Sequence, residues 1–127
     1  MINKVSSTCA DFWMSDKIVF GEFKENVTIK LSDAKIAVKD RIQASNSAKC
    51  PLFLDGRKVK RISKEARDYF SSEEGSELLS AAALIVDSSL TKMLANFFIR
   101  INFKKPLIPI KLFSNEQEAI KWLEQYK

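Results

Sequence analysis

Residues 5–23 contain two segments with the composition of β-strands. Residues 5–14 are rich in Val, Thr, Phe and Trp, which suit a half-buried pleated surface. Residues 15–16 supply turn chemistry. Residues 17–23 then carry apolar side chains on both faces, with Ile18 and Phe20 on one and Val19 and Phe23 on the other. The pattern predicts a β-hairpin.

Three later runs are short and almost wholly apolar, as in strands that are buried on both faces of a sheet. They are CPLFL at residues 50–54, AAALIV at residues 81–86 and IPIKLF at residues 108–113. The first run ends in Asp55-Gly56, a strong turn signal.

The segments between these runs have the spacing of amphipathic helices. Residues 31–45 predict a helix with Ser32 as N-cap. Its apolar stripe is Leu31, Ala34, Val38 and Ile42, and Lys35, Lys39 and Arg41 lie off the stripe. Residues 63–75 predict a second helix, capped by Ser63 and ended by Gly75.

Two more helices are predicted after the second apolar run. Residues 87–89 form a turn that caps a regular helix over residues 89–101, and residues 114–117 form a capping box, S-x-x-Q, for the last. Ala119, Ile120, Leu123 and Tyr126 share one face of the last helix. The order β-β-α-β-α-β-α-β-α predicts an α/β fold, with helices packed against a mixed, mostly parallel five-stranded sheet in a single domain, residues 1–127.

The chain of 127 residues contains no histidine, which removes the commonest general base and the commonest metal ligand. Its two cysteines, Cys9 and Cys50, cannot complete a structural zinc site alone. We expect two small buried cysteines, no metal, no cofactor and no enzymatic activity. The net charge of +5 favours acidic partners. No apolar run has the length of a signal peptide or a transmembrane helix, so we expect a soluble cytoplasmic protein.

The element order resembles the STAS domain, the fold of bacterial anti-sigma-factor antagonists and of the cytoplasmic tails of sulfate transporters. In that family a buried strand ends in Asp, a Gly-containing turn follows, and Val and Ile come next. Asp55, Gly56, Val59 and Ile62 match that pattern here. The chain is also similar to short bacterial STAS-like proteins related in shape to CRAL-TRIO lipid-binding domains, through residues 62–75, 94–98, 108–113 and 118–123.

One position departs from the STAS pattern. In the antagonists a partner kinase phosphorylates a Ser or Thr two residues after that Ile, and here the residue is Lys64, between Ser63 and Glu65. A lysine cannot accept phosphate from such a kinase, and its charge is opposite to that of a phosphate. The resemblance therefore implies the fold without the usual switch, unless Ser63 is a displaced acceptor.

Residues 57–64, called the basic turn below, read RKVKRISK. Cations beside the free N–H groups of a helix start would suit a nucleotide phosphate, a lipid headgroup or an acidic protein surface. The same residues also suit a solvated turn, since no phosphate-loop motif accompanies them. The helix around Phe98 and Arg100 is apolar nearly all round, which is typical of core packing or of a groove for an apolar ligand.

We predict a non-enzymatic bacterial regulatory module that docks on a protein partner, whose surface we expect to be acidic. The alternative is a carrier or sensor of a small anionic or amphipathic ligand, either lipid-like or a nucleotide. The predicted binding residues are Asp55, Arg57, Arg61, Ser63, Lys64, Arg67, Phe98 and Arg100. Asp55 has a second interpretation, that of holding its turn through backbone N–H groups.

Two other functions fit the sequence poorly. A Ser63–Lys64 hydrolytic pair is disfavoured because adjacent helical residues point about 100° apart. Nucleic-acid binding is disfavoured because the aromatic residues mostly occupy core positions. The sequence leaves open whether the protein is a monomer or a homodimer.

Overall fold

A mixed six-stranded sheet forms the centre of the computed structural model, which describes residues 4–94 and 107–127. In spatial order its strands are β1 (Val5–Ser6), β2 (Ala10–Ser15), β3 (Ile18–Phe23), β5 (Cys50–Asp55), β7 (Leu79–Ile85) and β8 (Ile110–Phe113). The first three run antiparallel, and β3, β5, β7 and β8 are mutually parallel. Two short strands, β4 (Thr28–Ile29) and β6 (Arg61–Ile62), pair in parallel as a separate sheet. The predicted α/β class and mostly parallel sheet are confirmed.

The main sheet has one strand more than predicted, because the segment predicted as the first strand forms two strands, β1 and β2. The N–H of Ser7 donates to the carbonyl of Ala10 at 2.9 Å, and this turn folds Val5 back against Phe12. Ser and Thr fit turns as well as strands, so the sequence pattern concealed the break. The hairpin from β2 to β3 is confirmed. Its loop is the two-residue Asp16-Lys17, with φ of 48° and 67°, the left-handed conformation that suits strand twist.

In the part of the chain that the structure describes, four helices connect or follow the strands. They are α1 (Leu31–Ala44), α2 (Lys64–Phe70), α3 (helical residues 88–94) and α4 (Glu116–Leu123), the last followed by the 3-10 turn Glu124–Tyr126. The predicted cap of α3 is confirmed, since Asp87 Oδ1 accepts the N–H of Leu90 at 2.8 Å. The remainder of the predicted 89–101 helix lies outside the described residues.

Three predicted helix boundaries are wrong. The carboxylate of Asp33 accepts the N–H of Lys30 at 3.0 Å, so α1 begins before Ser32. The cap of α4 is Asn115, one residue after the predicted Ser114, and it accepts the N–H of Glu118 at 3.0 Å. Helix α2 ends at Phe70, well before Gly75, because hydrogen bonds of Ser71 and Ser72 to carbonyls of the last turn replace its continuation.

The sheet separates two layers of core. Helices α1, α2 and α3 cover one face, where Ala34, Ala66 and Leu90 are buried with Val19 and Leu52. Helix α4 covers the other face, and its predicted apolar face is confirmed. There the buried or partly buried residues are Ile18, Phe53, Ile85, Phe113, Ala119, Ile120, Leu123 and Tyr126. Cys9 and Cys50 are buried and unpaired on the first face, as predicted.

Arg41 corrects the prediction for α1. It was expected on the polar side of the helix, but only 3% of the residue is exposed. Its Nη2 donates to the carbonyls of Glu77 at 2.9 Å and Gly75 at 3.3 Å, in the turn between α2 and β7. A buried backbone carbonyl such as that of Gly75 needs a donor, and the long side chain of Arg41 reaches it from α1. Burial lowers the pKa of Arg41 to about 10.

We expect Arg41→Met to destabilise the protein by about 2 kcal/mol, because the buried carbonyl of Gly75 and the partly buried carbonyl of Glu77 lose their donor while relief of the buried charge offsets part of the cost. Urea unfolding at neutral pH measures the change. Lys39→Met on the exposed side of α1 is the matched control, and we expect a change within about 0.5 kcal/mol. Equal stability of the Arg41→Met and wild-type proteins would contradict the assigned role of these hydrogen bonds.

Candidate functional site

The basic turn lies at the edge of the sheet where the parallel strands β5 and β7 both end. Just before it, the N–H of Gly56 donates to the carbonyl of Ile85 at 3.0 Å, which anchors the turn to the neighbouring strand. A side chain at Gly56 would begin 2.7 Å from Leu90 of α3, so the chain passes close to that helix. The turn therefore leaves the sheet at a fixed point.

Acidic side chains already engage Arg57, so part of the charge that it could offer to an anion is neutralised. Its Nη2 lies 2.7 Å from Asp55 Oδ2 and 2.9 Å from Glu116 Oε1. Asp55 Oδ1 also accepts the N–H and the Nε–H of Arg57, each at 3.0 Å. Partial burial raises the pKa of Asp55, but the hydrogen bonds and the charge of Arg57 outweigh it, so the pKa lies below its ordinary 3.8. This geometry agrees with the prediction that Asp55 holds the turn.

The rest of the basic turn has a fixed backbone. The carbonyl of Lys58 accepts the N–H of Asn26 at 2.9 Å, and the N–H of Lys60 donates to Val27 at the same distance. The N–H of Ser63 continues this pattern by donating to Ile29 at 2.9 Å. The small β4–β6 sheet lies within this stretch. The turn is therefore bound along its length to residues 26–29.

The side chains at the start of α2 are arranged around a conventional helix cap. Ser63 Oγ accepts the N–H of Ala66 at 3.1 Å, which confirms the predicted N-cap. Lys64 Nζ lies 3.5 Å from Asp68 Oδ2, one turn later, and both side chains are more than half exposed. The hydroxyl and the ammonium thus face different partners, which gives no support to a Ser63–Lys64 hydrolytic pair.

Four cations of the basic turn face solvent: Lys58, Lys60, Arg61 and Lys64. Within the described ranges, Lys58, Lys60 and Arg61 form no ion pair. The turn therefore presents a cluster of accessible positive charge on a rigid backbone.

An apolar cavity of about 130 Å³ lies beneath α2, on the face of the sheet that α2 and α3 cover. Arg67 contributes to its wall. The sequence singled out Arg67, but it gave no signal for the cavity, because leucines and phenylalanines have the same pattern whether they pack tightly or line a void. The other two predicted residues, Phe98 and Arg100, lie outside the described residues.

The described part of the chain contains no set of three or more Cys, Asp or Glu side chains placed to hold a metal ion. None of its helices is both long and apolar enough to span a bilayer.

Comparison with protein-family models identifies the family of the chain. Residues 12–127 match the model described as "Domain of unknown function (DUF7793)". The chain belongs to this family. No curated protein matches it significantly.

The fold of this DUF7793 member is similar to one seen by crystallography. The solved structure is an uncharacterized DUF3478-family protein with a SpoIIAA-like fold, from Shewanella loihica PV-4. The two share 16% sequence identity with a TM-score of 0.56, over 97% of this chain and 92% of the other. The likeness confirms the predicted STAS-like fold.

The Asp55–Arg57 contact yields a pH prediction. We expect Asp55→Asn to lower the free energy of unfolding by about 1–2 kcal/mol at pH 7, because the charge-assisted hydrogen bonds to Arg57 are lost. The folded-state pKa of Asp55 is lowered, so this stabilisation is present above the unfolded pKa and disappears as the pH falls through the folded pKa. Denaturant titrations at pH 7 and in the acid range compare wild type with Asp55→Asn.

Glu116→Gln is the control for that experiment. It removes only the more exposed contact of Arg57, and we expect it to cost less than about 0.5 kcal/mol. A difference between wild type and Asp55→Asn that stays constant down to strongly acidic pH would contradict the assigned ionised pair.

Proposed function

We propose that this chain is a non-enzymatic regulatory module of the bacterial cytoplasm that docks reversibly on an acidic surface of a protein partner. The observation that carries the proposal is the combination found in the basic turn: a backbone bonded along its length and four outward-facing cations. Arg57 belongs to the scaffold of this surface, and Lys58, Lys60, Arg61 and Lys64 are its contact residues.

A rigid backbone favours binding because less conformational freedom is lost when a partner attaches. The exposed side chains still move, but their attachment points stay in place. Positive charge on such a surface raises the rate of encounter with an acidic partner and disfavours basic competitors. A solvated turn that served only solubility would need no such support from residues 26–29.

Because of Lys64, we expect docking to be controlled differently from that of the anti-sigma-factor antagonists that the chain resembles. A Ser or Thr at this position gains negative charge when phosphorylated, which changes the preferred partner. Lys64 holds a permanent positive charge. Docking at this surface is therefore governed by the partner and by ionic strength rather than by phosphorylation at position 64.

A second candidate function, binding of a small amphipathic ligand, is favoured by the apolar cavity under α2. It uses the inner side of the same helix whose start carries the docking surface. The two functions are compatible, since docking uses solvent-facing cations and ligand binding uses the apolar cavity under α2.

The docking proposal predicts that Arg61→Glu with Lys64→Glu reduces capture of the native partner by about tenfold or more, because two attractive contacts become repulsive. Quantitative pull-downs from the native lysate measure this, with circular dichroism to verify folding. We also expect capture by the wild-type protein to fall as salt is added.

The control for this experiment is Lys111→Glu with Lys121→Glu. It makes the same change in net charge with two exposed lysines on the side of the sheet covered by α4. Capture that responds equally to both double variants would point to net charge alone, and unchanged capture by Arg61→Glu/Lys64→Glu would exclude the basic turn as the docking surface.

A further inference from the structure

The cavity beneath α2 has a wall made of three parts. The sheet contributes Leu54 and Leu84, α2 contributes Phe70, and α3 contributes Leu90. Phe23 of the hairpin also belongs to the wall. These side chains attract apolar atoms and offer no hydrogen bonds, so the interior favours a hydrocarbon group over water.

The volume restricts what can enter. An apolar cavity of roughly 150 Å³ holds a molecule as large as benzene, and this cavity measures about 130 Å³. A group of about six carbon atoms is therefore the right size. A membrane lipid or a long-chain fatty acid is too large to fit within this volume.

Arg67 is the only charged residue in the described part of the cavity wall. Its Nη1 donates to the carbonyl of Ile62 at 3.2 Å, which fixes one side of the guanidinium. Its Nε is buried and has no hydrogen-bond partner among the described residues. An unpaired buried donor on a charged group is costly, and a carboxylate placed against this guanidinium would offset part of that cost.

We propose that this cavity binds a small monocarboxylate with a compact apolar tail, its carboxylate on Arg67 and its tail between the sheet and the helices α2 and α3. A guanidinium and a carboxylate match in shape and charge, and their hydrogen bonds are among the stronger ones in proteins. A dianionic phosphate would leave one charge unpaired in an apolar enclosure, which is unfavourable. The assignment rests on the second candidate function, ligand binding in this cavity, and does not depend on the docking function.

The first test uses hexanoate as the probe, with acetate and hexanol as partial analogues. Acetate has the carboxylate without the tail, and hexanol has the tail without the charge. In an NMR titration of the full chain we expect hexanoate to bind more tightly than either analogue, with shifts at methyl groups of Leu54, Leu84 and Leu90. Absence of hexanoate binding at millimolar concentration, or binding no tighter than that of hexanol, would overturn the proposal.

The second test changes Arg67, the residue proposed to bind the carboxylate. We expect Arg67→Met to weaken hexanoate binding by about 10-fold to 100-fold, the loss of one charge-assisted hydrogen-bonded contact, and to leave hexanol binding within about threefold. Lys35→Met removes one exposed charge from α1 and is the matched control, with hexanoate affinity unchanged. Equal hexanoate affinity in the wild-type and Arg67→Met proteins would exclude Arg67 as the carboxylate-binding residue.

A third variant keeps the proposal testable if Arg67→Met does not fold. Ala82 lies in the cavity wall, and Ala82→Val places two further methyl groups there. We expect it to weaken hexanoate and hexanol alike, and unaltered binding of both would show that the ligand lies elsewhere. The Arg61→Glu/Lys64→Glu protein should bind hexanoate normally, so a failure of docking and a failure of ligand binding are distinguished.

Discussion

Parallel pairing of β5 with β7 is the constraint on which the candidate sites depend. It brings the ends of both strands to the same edge of the sheet, where Gly56 donates to Ile85. After each of these strands the chain must return over the same face of the sheet before the next parallel strand can begin. Helix α2 makes this return after β5, and α3 begins it after β7. The basic turn marks the first of these returns, and the cavity lies between the two helices and the sheet. Ligand sites in open parallel sheets commonly occupy this edge.

The size of the cavity follows from how little α2 covers. This helix has seven residues, and of these only Ala66 is fully buried. After Phe70 the chain turns away, and Arg41 holds that turn through the carbonyls of Gly75 and Glu77. Gly75 also packs so closely on the carbonyl of Tyr69 that a side chain there would collide with it. Ser71 and Gly75 of this turn therefore line the cavity from a fixed position.

Sequence periodicity predicted the layers of the fold well and its boundaries less well. Consecutive apolar residues such as Ile18 and Val19 indicate a strand buried on both faces, and both are buried. Caps were harder, because Ser114 and Asn115 are both good caps and only the backbone decides between them. Arg41 was predicted on the polar side of α1, and that prediction is wrong. A charged residue off the apolar stripe is normally exposed. The two carbonyls that accept hydrogen bonds from Arg41 belong to residues more than thirty positions away, so the local sequence gives no sign of them.

The ion pairs of the basic turn were equally hard to predict from the sequence. A run of cations gives no information on which charges are paired, and only the fold brings Glu116 to Arg57. Lys64 is the opposite case, because its energetics can be argued locally. A cation in the first turn of a helix interacts unfavourably with the helix dipole, which costs about 0.3–1 kcal/mol. The exposed ion pair of Lys64 with Asp68 stabilises the helix by a similarly small free energy. Helix stability therefore does not favour a lysine at this position. The charge of Lys64 acts outward, where an acidic partner would encounter it together with Lys60 and Arg61 on a backbone that is already in place.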